Sequence, residues 1–110
     1  MGYDVLRAAL GRGFHVTNLR AITQASFDLL QADSVIKHPA AAYAVGITAH
    51  AIAMAWDGDG LDNSRASLIE AHIRPALEAV IDAAESDDAS LLAALDNLAR
   101  AFSQAAPMLQ

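Results

Sequence analysis

Apolar residues along this chain recur at the three-and-four spacing of a helix, and no stretch alternates as a half-buried strand requires. Turn-forming residues cut the pattern into about five helical pieces. The first covers Asp4 to about Leu10, with Val5, Ala8 and Ala9 on one side, and Gly11 and Gly13 end it. The second begins near Thr17 or Asn18, either of which can cap open backbone N–H groups. Leu19, Ile22, Ser26, Leu29 and Leu30 follow on helical spacing. This piece stops before His38-Pro39, because the residue preceding a proline is pushed out of the α region.

The third piece, Pro39 to Trp56, is the most distinctive. Proline suits a first helical turn, where its missing N–H would be unpaired anyway. From Ala40 to Trp56 there is no charged residue, and Thr48 and His50 are the main polar side chains. A helix apolar all round is expected to be buried on most sides. Residues 40–56 are therefore predicted to be the central helix, with small residues that let neighbours approach closely. The stretch would span roughly 26 Å at 1.5 Å per residue, the short limit for a bilayer. Its apolar surface is largely alanine, a histidine lies in mid-segment and no basic flank follows, so no membrane span is expected. His50 is predicted to be a neutral, buried imidazole bonded to a carbonyl; a pH-sensitive or ligand-facing role is the alternative.

Asp57, Gly58, Asp59, Gly60, Leu61, Asp62 and Asn63 read as a turn. A fourth helix starts at Asn63 or Ser64. Its apolar pairs, Leu68/Ile69, His72/Ile73, Ala76/Leu77 and Val80/Ile81, advance by four, opposite a stripe of Glu70, Arg74, Glu78 and Asp82. Pro75 interrupts the hydrogen-bond ladder without breaking the apolar phase, which predicts one kinked helix rather than two. Ser86, Asp87 and Asp88 make the last connection and offer caps to a fifth helix. That helix carries Leu91, Leu92, Leu95, Leu98 and Phe102 within, has Asp96 and Arg100 outside, and stops at Pro107. The expected fold is all-α: one domain, 1–110, with four or five helices bundled around 40–56.

Composition sharpens this reading in two ways. Alanine supplies 26 of the 110 residues, which favours helix strongly but buries little area per residue. A thin core of this kind predicts a homodimer or a hetero-complex with a protein partner. The net charge of −6 is also uneven: residues 1–50 carry +1 and residues 51–110 carry −7. An acidic half repels phosphate backbones, so no nucleic acid is expected, and it suits a basic protein surface. Cysteine is absent, which excludes disulfides and thiolate metal sites and fits a cytoplasmic setting.

No cofactor or metal is expected. None of His15, His38, His50 and His72 has a carboxylate or second histidine three or four residues away. Asp57, Asp59 and Asp62 fail the calcium-loop spacing, since placing Gly60 sixth puts Ala55 first and Ala66 twelfth. No Ser-His-Asp arrangement, phosphate-cradling glycine motif or catalytic carboxylate pair stands out.

Two short patterns resemble known families. Arg65 and His72, with six residues between them, resemble the arginine–histidine motif of HEPN-type helical ribonucleases, though Ala66 follows the arginine here. That resemblance implies RNA cleavage by Arg65 and His72 acting across a dimer. Trp56-Asp57-Gly58 resembles the Trp-x-Gly turn of small helical-hairpin proteins exported by type VII secretion. That one implies a secreted hairpin of two long helices. The reading favoured by the whole chain is a non-catalytic interaction module, acting as a regulator, inhibitor or small subunit. Its expected contact residues are Met54, Trp56 and the acidic turn Asp57, Asp59 and Asp62.

Overall fold

A computed structural model describes residues 3–31, 36–56 and 63–109. Five helices account for nearly all of them: α1 (Tyr3–Gly11), α2 (Val16–Gln31), α3 (Pro39–Ala55), α4 (Asn63–Ala83) and α5 (Asp88–Ala105). A short 3-10 turn, Ala106–Leu109, takes in Pro107. No strand occurs among the described residues, and the fold is all-α as the spacing predicts. Each helix starts within two residues of its expected position. α4 runs unbroken through Pro75. No helix among the described residues is long and apolar enough to cross a membrane.

The helices pack as two pairs, α2 along α3 and α4 along α5. α1 lies against α2 and α4, and α3 touches α4 and α5. Leu6 and Leu10 of α1, Leu19 and Ile22 of α2, and Val45 and Ile52 of α3 meet a row from α4: Ile69, Ile73, Leu77, Val80 and Ile81. All of these are essentially inaccessible to water. The chain exposes 5931 Å², close to the roughly 5,800 Å² of a folded monomer of this mass. Small side chains on α3 make this possible by letting helices close up. At Gly46 an added Cβ would lie 2.8 Å from Ser26 Cβ and 3.4 Å from the Phe27 ring.

Three expectations are corrected. α3 does not bury its whole circumference. Ala41, Ala42, Val45, Ala49, Ile52 and Ala53 face inward, but Ala40, Tyr43, Ile47, His50 and Met54 form an exposed stripe along the opposite side. The reason is geometric: α2 lines one flank, α4 and α5 touch another, and no helix of the described chain is left to cover the outside. His50 lies on that stripe and is exposed, not buried. On α4, Leu68 and His72 are exposed, so the apolar stripe is narrower before Pro75 than after it.

The α1–α2 junction also differs in detail. α2 starts at Val16, and its cap is the ring of His15, whose Nδ1 accepts from the backbone N–H of Asn18 at 3.3 Å. Asn18 serves the other helix: its buried amide donates to the carbonyl of Ala9 at 2.8 Å and to that of Gly13. Gly13 has a φ of 127°, which a side chain would strain.

A second junction joins four helices. The buried Tyr3 hydroxyl donates to the carbonyls of His38, at 2.7 Å, and Lys37, at 3.1 Å. The His38 ring contacts the carbonyl of Ala84 and the carboxylate of Asp88. At the start of α5, Asp87 Oδ1 accepts from Ser90 N–H at 2.7 Å, a side-chain cap of the expected kind.

Candidate functional site

The exposed stripe of α3 continues sideways into a groove against α5. Leu91, Ala94, Leu98 and Ala105 turn α5 inward. The apolar arc of α5 is wider than that inward face, however. Leu95 and Phe102 are only half-buried, and Leu92 and Ala99 are exposed. Between the two helices lies a groove of about 440 Å³, walled by Tyr43, Ile47 and Thr48 on one side and Leu95, Ala99 and Phe102 on the other. α3 contributes no charged group along its length, and Asp96 and Arg100 stand exposed on α5. Tyr43 (55% exposed), Met54 (62%) and Leu92 (61%) extend the apolar surface beyond the groove. Apolar side chains gathered on one exposed face are a candidate docking surface.

The expected contact residues fare unequally. Met54 is exposed on the same face of α3 as Tyr43 and Ile47. Trp56, at the end of α3, is half-buried and packs against the core. Asp57, Asp59 and Asp62 lie outside the described residues. Sequence spacing missed Tyr43 and Ile47, and assigned Leu92 and Phe102 to the core. The available signal was the total lack of charge on α3, which leaves that helix without a polar face to turn outward.

Arg65 and His72 are both exposed and share one helix, α4, about 10 Å apart along its axis. Neither lines the groove. The five-helix architecture departs from the two-helix hairpin that the Trp-x-Gly resemblance implies.

A second, smaller cleft of about 280 Å³ lies between α1 and α4, lined by Arg7, Leu10, Gly11, Glu78, Ile81 and Asp82. Arg7 Nη2 donates to Asp82 Oδ1 at 2.6 Å, and Arg74 pairs with Glu70 at 3.0 Å and Glu78 at 3.7 Å. The charges around this cleft are thus largely spent on one another, and the Arg7–Asp82 pair is exposed, where such pairs contribute little. No group of three potential metal ligands occurs among the described residues. The chain matches no family model, no curated protein and no solved structure.

Proposed function

We propose that this protein is a non-catalytic helical interaction module that receives an amphipathic helix of a basic protein partner in the α3–α5 groove. The observation that carries this reading is the uncharged, exposed face of α3 continuing into the groove at Leu95 and Phe102. An apolar groove between two helices suits a third helix with anchors at i, i+3, i+4 and i+7. Tyrosine, phenylalanine and methionine are among the residue types enriched at such contacts. Charge selects the occupant. A chain of net −6 is repelled by a second copy of itself and attracted by a basic partner. The lining residues supply contact surface and hydroxyl groups rather than acid–base or nucleophilic chemistry. The cysteine-free composition fits action in the cytoplasm.

The test is capture from the native host with wild type and with Ile47→Asn, Leu92→Asn and Leu68→Asn, each checked by circular dichroism for an intact fold. Captured proteins are identified by mass spectrometry. The reading predicts a specific basic protein, lost at least about tenfold with the first two variants and retained with the α4 control. Equal capture by all four chains would refute it. Sedimentation that shows a wild-type dimer split by Ile47→Asn would instead assign the groove to a second copy.

A further inference from the structure

His38 stands where four helices meet. It precedes Pro39, the first residue of α3, and its backbone is left-handed, with a φ of 56°. That conformation is uncommon for a residue with a Cβ, so neighbours must hold it. Its carbonyl accepts from Tyr3 of α1 and from the N–H of Ala41 at 3.0 Å. Its side chain, only 16% exposed, reaches across the bundle to the α4–α5 turn. Nδ1 lies 3.0 Å from the carbonyl oxygen of Ala84, and Nε2 lies 2.6 Å from Oδ1 of Asp88.

Both partners are acceptors. A backbone carbonyl never donates, and an ionised carboxylate cannot. A neutral imidazole has one N–H and can satisfy only one of them, leaving a ring lone pair facing an oxygen. The imidazolium, with an N–H on each side, satisfies both. We propose that His38 is a proton-operated latch: its protonated ring ties the start of α3 to the end of α4 and the first turn of α5, and loss of the proton releases one of the two ties.

The charged groups around the ring favour the closed form. Asp88 contacts it directly, and Asp87 stands beside it at the start of α5; Lys37, its chain neighbour, opposes them. Glu85, in the α4–α5 turn, adds negative charge near Tyr3, whose burial keeps its hydroxyl protonated above the usual range. Asp88 also lies in the first turn of α5, where the helix dipole stabilises a carboxylate. The hydrogen bond to Asp88, and after it the one to the Ala84 carbonyl, raises the His38 pKa above its ordinary 6.5. A raised folded-state pKa stabilises the fold fully below 6.5, and that contribution disappears as pH rises through the folded value. The latch is therefore closed in mild acid and opens on the alkaline side.

Two measurements test it together. The ring nitrogens and methines of His38 are followed by NMR through a pH titration in wild type and in Asp88→Asn. The urea midpoint is measured at about pH 6 and about pH 9 in both, and in His38→Gln. The latch predicts two protonated ring nitrogens at the lower pH and a His38 midpoint above 6.5. The amides of Ala84, Ala41 and Ser90 should shift along the same curve. It also predicts a lower wild-type urea midpoint at the higher pH. In Asp88→Asn the His38 pKa falls towards its ordinary value and the stability difference shrinks. A His38 that titrates at or below 6.5, or carries a single ring proton at the lower pH, would overturn the proposal. So would an unchanged titration in Asp88→Asn, whose exposed position makes it a tolerant variant even if His38→Gln fails to fold.

Discussion

Two small residues fix how closely α2 and α3 approach. Ser26 is fully buried, and its hydroxyl has no hydrogen-bond partner; Gly46 faces it across the contact. A Cβ at 2.8 Å from another Cβ cannot be accommodated without moving a helix. Gly46→Ala should therefore destabilise by about 1–3 kcal/mol, the usual range for overpacking, although alanine is the better helix former. Urea denaturation measures it, and a gain in stability would mean that the helices are not this close. Ser26→Ala should go the other way. An unpaired buried hydroxyl costs about 1–3 kcal/mol, so its removal should be neutral or stabilising by about 1 kcal/mol. A clear loss in the same assay would show that the hydroxyl has a partner. Neither effect was legible in the sequence, where Ser26 is merely one residue on an apolar face and Gly46 one small residue among many.

At the scale of the element, the helices were legible and their exposure was not. Periodicity and punctuation place all five starts, because glycine, proline and aspartate act locally on the backbone. Which face is covered depends on the other helices. α3 shows this most plainly: with no charged side chain, its sequence could not distinguish a surrounded helix from a half-covered one. His50 was misplaced for the same reason. α4 offers a clean test of helix continuity. Pro75 is exposed inside it and cannot donate to the preceding turn. Pro75→Ala restores that hydrogen bond and should raise stability by up to about 3 kcal/mol; no gain in the thermal midpoint would place the cost of the proline elsewhere. The cap of α5 makes a pH prediction. The Ser90 backbone N–H holds the Asp87 carboxyl below its ordinary 3.8, so its stabilisation is present above that value and vanishes as pH falls through the lowered one. Asp87→Asn should flatten the acid limb of the stability profile below about pH 4, and an unchanged limb would assign acid unfolding to other carboxylates.

Across the whole molecule, surface rather than instability argues for a partner. The expectation of association began from a thin alanine core, and the fold exposes about the area of an ordinary monomer of its mass. What remains is a connected apolar face on α3 and α5 in a chain of net −6. Exposed charge is screened within about 10 Å at 0.1 M salt, whereas apolar contact is not. Capture of a basic partner should therefore weaken as salt rises without being abolished, and its association rate should fall more than its dissociation rate changes. The sequence named Met54, on the exposed stripe of α3, from its residue type, and offered the apolar arc of α5 only as core. The groove itself was not legible, since it exists only where α3, in the middle of the chain, meets α5, some fifty residues further on.

The most direct measurement is a methyl NMR map of the purified chain with its captured partner added in increments. The account predicts that the methyls of Ile47, Met54, Leu92 and Leu95 shift together with the stoichiometry of binding. Leu68, comparably exposed on α4 at 54%, should stay still. Shifts centred on Leu68 and the Arg65–His72 face, with Ile47 and Leu92 unmoved, would contradict it.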